Sequence, residues 1–231
     1  MSHFSVLVIH EEDTDIDELL APYDENIRVV PYQVFTKQEA ISYVRKNYSD
    51  FAKETDETCW KYLAESYKAD SEGNLYDNSN PNGKWDWYEV GGRFENLLRL
   101  KDGTRADSAK LKDIDFSLDE EEYKKGLRVW DIIVEHEPLE PDKKMPFSLY
   151  NEDYYHERYG SRENYAKSCA MFYTYAVVTP NGIWHEPGKM GWFGVSNATP
   201  AQKAEWEKEF HKKFLENENP EMVLTVVDCH V

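Results

Sequence analysis

Apolar and polar positions alternate in short runs near both ends of the chain and fall at helical spacing between them. Phe4 to Ile9, with Val6, Val8 and Ile9, predicts a buried strand flanked by His3 and His10. Ile27 to Phe35 predicts a second strand, which Pro31 confines to an edge or a bulge. Thr36 followed by Glu39 is a capping-box pattern, so a helix starts there, with Ala40, Ile41, Val44 and Tyr48 on one face. A second helical stripe is Cys59, Trp60, Leu63 and Tyr67. Ser71 to Gly83 is polar and turn-rich and reads as a loop.

The least ordinary stretch is Lys84-Trp85-Asp86-Trp87-Tyr88-Glu89-Val90-Gly91-Gly92-Arg93-Phe94. Trp85, Trp87 and Val90 or Phe94 fit one face of a strand, because strand side chains alternate. Gly91-Gly92 then marks a bulge, a bend or a close approach. Phe94 to Lys101 reads as the hairpin partner of this strand, ending at the Asp102-Gly103 turn. Glu120 to about His136, capped by Ser117 or Asp119, predicts a helix with Leu127, Trp130, Ile133 and Val134 on its apolar face. Gly126 weakens that helix and leaves a strand over 127–134 as the alternative. Asn151 to Tyr165 reads as an aromatic-rich helix or lid. Phe172 to Thr179 is a strand, Pro180-Asn181-Gly182 a hairpin turn, and Ile183-Trp184-His185 the return. Thr199-Pro200 opens a last helix, and Met222 to Val227 is a last buried strand.

This order predicts an α+β fold: a mostly antiparallel sheet with helices packed on one side, loosely ferredoxin-like with insertions. We expect a single domain over 1–231, with an insertion at about 104–168. In that topology the first and last strands lie side by side and antiparallel. His3 then sits near Asp228, Cys229 and His230.

Composition narrows the function classes. The 231 residues hold 45 acidic against 27 basic side chains, a formal net charge of -18. Such a field repels nucleic acid and anionic membrane, though it allows one local basic pocket. It also suits an acidic protein that covers a DNA-binding partner. Aromatics at 14% offset a hydrophobic fraction of 40% and argue for a folded core. Cys59, Cys169 and Cys229 are isolated from one another. With no signal peptide evident, they predict a reducing cytoplasm. No apolar run approaches the roughly 18 residues of a membrane span.

Candidate chemistry centres on the aromatic-glycine segments. Arg93 beside Gly91 and Gly92 suits an anion, since a guanidinium matches carboxylate and phosphate with a planar fork. Trp85, Trp87 and Trp192 offer faces for stacking a ring, although two tryptophans two residues apart are more often core. His185 and Glu186 are the candidate catalytic pair, and with Arg93 and the tryptophans they would line one pocket. His3, Asp228, Cys229 and His230 are candidate metal ligands by residue type, against which the Cys229-His230 adjacency argues. The same Cys-His pair raises nucleophilic catalysis. Asp113-Ile114-Asp115 offers carboxylates for a hard cation or, more simply, a solvated acidic loop. No motif names a cofactor.

Several segments together resemble a family. They are Trp85-Asp86-Trp87-Tyr88 running into Gly91-Gly92-Arg93, the opening Ser2 to Ile9, Ala21-Pro22-Tyr23-Asp24-Glu25-Asn26, Met190-Gly191-Trp192-Phe193-Gly194, and Asp228-Cys229-His230. The chain is similar over most of its length to uncharacterised phage and prophage proteins with a Trp-Asp-Trp-Tyr-x-x-Gly-Gly-Arg segment. The resemblance implies a bacteriophage or mobile-element origin and the cytoplasm of a bacterial host. It transfers no functional residue. Phe94 departs from it, since Trp is expected after the arginine. Three functions follow as expectations: an accessory protein binding a host component or a small nucleotide-like anion; a phosphoester hydrolase or nucleotide-processing enzyme; or an acidic inhibitor of a DNA-binding protein.

Overall fold

The computed structural model describes residues 2–139, 144, 146, 150–190 and 195–231. In chain order its elements begin β1 (His3–His10), α1 (Ile16–Leu20), β2 (Arg28–Phe35), α2 (Lys37–Asn47), α3 (Asp56–Ala64), β3 (Lys68–Ala69) and β4 (Leu75–Ser79). They continue with β5 (Trp87–Val90), β6 (Leu98–Arg99), β7 (Arg105–Ala106), β8 (Ser108–Lys110) and α4 (Glu120–Ile133). The last are α5 (Glu152–Tyr159), α6 (Arg162–Ala170), β9 (Ala176–Val178), β10 (Trp184–His185), α7 (Pro200–Phe214) and β11 (Val223–His230). The fold is α+β. The chain divides into two compact units, one of residues 22–84 and one of 1–21 with 85–231.

In the smaller unit the sheet order is β2-β4-β3. Pro31 lies on the edge strand β2, and the β2–β4 register shifts between Arg28 and Tyr32, the segment that contains it. A proline cannot donate to a ladder, so an edge position with a bulge is where it fits. The Thr36–Glu39 capping box forms as the spacing predicts. It starts α2, whose Ala40, Ile41 and Val44 pack with Cys59 and Leu63 of α3 and Leu75 of β4. Leu75 belongs to a strand within the stretch expected to be loop, because its apolar side chain completes this small core.

The larger unit is built on a sheet of order β10-β9-β1-β11-β5, with β8 also paired to β11. β1 and β11 are antiparallel along their whole length, from His3↔His230 to His10↔Val223. β9 is parallel to β1, and β10 returns antiparallel beside β9. The first strand of that hairpin therefore neighbours β1, where a ferredoxin-like sheet places the second. The expected strand 172–179 is regular only over Ala176–Val178. The expected hairpin of Trp87 with the segment after Phe94 does not form. β5 pairs with β11, and β6 pairs with β7. β5 adds to the open edge of the buried strand β11 and itself stays largely exposed.

One face of the β1–β11 pair changes character along its length. Ile9 and Leu7 stand opposite Leu224 and Val226, while Ser5 and His3 stand opposite Asp228 and His230. The aliphatic part forms the main core with Val177 and with Phe210 and Phe214 of α7. Phe210 is 1% exposed, and burying such a side chain contributes roughly 1.5–3 kcal/mol. The polar part of the same face is where the candidate site lies. A satellite core joins α4, α5 and α6 through Trp130, Ile133, Tyr155 and Tyr165. Gly126 stands in α4 because a Cβ there would lie 2.8 Å from Ala166 Cα of α6. Its absent side chain permits the helix contact, and the strand alternative at 127–134 does not occur.

Candidate functional site

β5 brings the aromatic-glycine stretch onto the polar end of the sheet. Its register sets Trp87 opposite His230 and Glu89 opposite Asp228, so these side chains share one face with His3. Gly91 then turns the chain at φ 72° and Gly92 at φ 53°, and Arg93 follows in a short 3-10 turn. Both glycines answer to carboxylates as well as to conformation. A Cβ on Gly91 would lie 2.6 Å from the Asp107 carboxylate, and one on Gly92 would lie 2.6 Å from Asp228 Cβ. Asn96, another left-handed residue at φ 58°, donates its backbone N–H to Asp107 Oδ1.

Asp228 is the hub. It is 1% exposed and accepts the Arg93 backbone N–H at 2.9 Å. His3 Nδ1 lies 3.0 Å from each of its carboxylate oxygens. A carboxylate only accepts, so Nδ1 carries the proton and Nε2 of a neutral His3 is left as a base. Nε2 has no protein partner among the described residues, and His3 lines the cleft. His230 is held in a parallel way, with Nδ1 2.6 Å from Asp86 Oδ1. Its ring stacks on Trp87 at 5.1 Å and meets His3 edge-on at 5.1 Å. His230 Nε2 is buried without a hydrogen-bond partner among the described residues.

The resulting cleft has a volume of about 390 Å³ and is lined by His3, Trp87, Gly92, Arg93, Asp107 and Asp228, with Glu89 and Glu95 at its rim. Arg93 is exposed there, and its guanidinium makes no ion pair among the described residues. Trp87 is 44% exposed. The charge around the cleft is mixed. Asp107 and Asp228 are tied up by backbone N–H groups and His3, and the exposed Glu89 and Glu95 are screened by solvent.

Several sequence expectations do not meet in this cleft. Trp85 precedes β5, is 7% exposed, and packs edge-on against Tyr88 at 5.3 Å. It is a core residue beside the site. His185 and Glu186 lie at the other end of the sheet, with β9, β1 and β11 between β10 and β5. Four strand spacings amount to roughly 19 Å. They do not share a pocket with Arg93. His185 packs on Phe214 at 5.3 Å, and burial, with Lys213 nearby, pushes its pKa down. Trp192, with Gly191, Phe193 and Gly194, lies outside the described residues.

The four candidate metal ligands do not form a ligand set. His3, Asp228 and His230 share a face, but each histidine spends Nδ1 on a carboxylate. Cys229 alternates to the opposite face, fully buried. Burial and the adjacent Asp228 charge push its thiol pKa up, the reverse of what a nucleophile needs. Among the described residues no group of three or more His, Cys, Asp or Glu is placed to hold a metal ion. In the Asp113-Ile114-Asp115 stretch Ile114 is buried, and Asp115 pairs with Arg99 at 3.1 Å. The sequence argument missed Asp86 and Asp107 as anchors. Asp86 lies inside the unusual stretch, so its signal was present; Asp107 carried none.

No family model, no curated protein and no solved structure matches the chain. No helix among the described residues is long and apolar enough to cross a membrane.

Proposed function

We propose that this is an accessory protein whose cleft beside β5 binds a small nucleotide-like anion. The observation that carries the reading is that Arg93, the exposed Trp87 ring and His3 line one cleft with Gly92. The tryptophan face stacks a base or comparable ring, and the guanidinium holds a phosphate. The acidic rim disfavours polyanions, so a monophosphate or a phosphodiester fits better than a triphosphate. A bacteriophage or mobile-element origin rests on the sequence resemblance alone, and a place in the host cytoplasm on that resemblance and the three unpaired cysteines.

The His3–Asp228 pair favours a second reading, phosphoester processing at the same cleft. His3 Nε2 takes the proton of an attacking hydroxyl or water as its oxygen bonds to phosphorus, the P–O ester bond breaks, and the departing alkoxide takes a proton from the imidazolium; Asp228 fixes the ring and Arg93 neutralises the phosphoryl oxygens. Thermal-shift titrations with mono- and dinucleotides, with Arg93→Ala as control, test binding. Phosphorus NMR of the bound ligand then reads turnover. A flat plate sinks both readings. Stabilisation that Arg93→Ala abolishes supports the first, and turnover lost in His3→Ala supports the second.

A further inference from the structure

A second cavity lies away from the β5 cleft, where α5, α6 and α7 meet. Its volume is about 410 Å³, within the range of small-molecule sites. Arg158 comes from α5, Lys167 and Ser168 from α6, and Glu207 and Lys208 from α7, with Tyr159, Met171 and Ala204 as an apolar wall.

Its polar floor is built and buried. Arg158 pairs with Glu207, whose side chain is 7% exposed, and Ser168 Oγ donates to the same carboxylate at 2.6 Å. Arg158 also donates to Tyr154 Oη at 2.7 Å and lies 4.9 Å from the centre of the Tyr159 ring. Burial opposes the guanidinium charge, but Glu207, Tyr159 and Tyr154 outweigh it and raise its pKa. Arg158 Nε is buried with no acceptor among the described residues.

The charge balance here reverses that of the chain. Glu207 is matched by Arg158, which leaves Lys167 and Lys208 in excess. Lys167 is exposed and has no carboxylate partner among the described residues, and Lys208 reaches Glu209 only at 3.8 Å. The clefts lined by Glu186 with Lys212, by Arg99 with Asp115, and by Arg93 with Asp228 all carry more carboxylates than cations. In a protein of net charge -18, this cavity is the one of the four whose lining holds more cations than carboxylates.

We infer that the cavity between α5, α6 and α7 is a second ligand site, taking a compact organic anion: one phosphate or carboxylate head group on a small apolar body. Lys167 and Lys208 hold the head group as point charges at the mouth, and the Tyr159–Met171–Ala204 wall takes the body. The Arg158–Glu207 pair keeps the floor rigid. This site is independent of the β5 cleft.

The test is calorimetry and thermal shift on the full chain with two probes, phenyl phosphate and benzoate. Both are titrated into Arg93→Ala, which removes the guanidinium of the β5 cleft; binding of at least one is expected there, weakening about tenfold when Lys167→Glu/Lys208→Glu is added. Phenyl phosphate alone identifies a phosphoryl ligand, and benzoate alone a carboxylate. Met171→Glu, which adds a carboxylate at the wall, provides a second block should the lysine variant lose its fold. The inference is overturned if neither probe binds, if binding survives these charge changes, or if Arg93→Ala abolishes it and so places the anion in the other cleft.

Discussion

Asp228 holds His3 across the pair formed by the first and last strands, with His3 Nδ1 3.0 Å from both carboxylate oxygens, although the two residues are 225 positions apart. The same carboxylate receives the Arg93 N–H, so one buried group fixes both the histidine ring and the glycine turn. The His3 ring and the Arg93 backbone are thereby tied to one carboxylate.

Asp228→Asn separates these roles. The amide can still receive the Arg93 N–H, but it no longer requires the proton on Nδ1 of His3. Nitrogen-15 NMR of the imidazoles should show a fixed Nδ1–H tautomer for neutral His3 in the parent and a mixture in the variant. If the cleft turns over a phosphoester, the rate should fall by about 10²–10⁴-fold. An unchanged His3 spectrum would remove Asp228 as its orienter.

Gly92→Ala should destabilise the larger unit by about 2–4 kcal/mol, from left-handed strain and overlap with Asp228. Gly103→Ala is the matched control. Gly103 has φ +87° but nothing within 4 Å of the added Cβ, so only backbone strain of about 1 kcal/mol applies. Chemical denaturation of the two variants measures the difference.

Gly126→Ala sets helix propensity against packing. Alanine should gain about 1 kcal/mol in the interior of α4. Its methyl would lie 2.8 Å from Ala166 Cα, a backbone atom that cannot rotate away, and overpacking costs about 1–3 kcal/mol. We expect a lower Tm despite the better helix former. A raised Tm would show that α4 and α6 shift apart without cost.

Glu207→Ala should cost about 3–5 kcal/mol, because it strands a buried guanidinium. The paired change Arg158→Met/Glu207→Leu should cost much less than the sum of the single changes, since it removes both charges together. Urea denaturation of the three variants gives the coupling.

His185 makes stability pH-dependent with a definite sign. Burial and Lys213 lower its pKa in the fold below the ordinary histidine value. Below about pH 6.5 the unfolded chain therefore binds more protons than the folded one, and stability falls with acidification. The contribution is complete above that value and is lost as pH falls toward the folded pKa. Tm values at pH 7.5 and pH 5.5 should converge in His185→Phe relative to the parent. An equal pH slope in both proteins would refute it.

Local chemistry was readable in the chain. The Thr36–Glu39 box, the Thr199 cap before Pro200, the edge proline of β2 and the alternation in β1 each formed as their residues require. So did the antiparallel meeting of His3 with Asp228 and His230, which followed from placing the first and last strands together. The caps, the edge proline and the alternation depend on residues within a few positions of one another or on the periods of a strand or helix, while the His3 pairing followed from the expected strand order. The partner of Trp87 depends on neither. Sequence proximity pointed to the segment after Phe94, and the fold selected β11, whose edge pairs with every residue from Trp87 to Val90 while Gly91 and Gly92 turn the following segment away. Likewise His185 shared residue chemistry with the site but not its edge of the sheet, and Cys229 stood beside His230 in sequence but faced away. The sequence by itself determined the capped helices α2 and α7, the strands β1 and β11, and a set of candidate side chains. Only the tertiary structure decided which of them share a cleft, since strand order and register are settled by burial across the whole sheet.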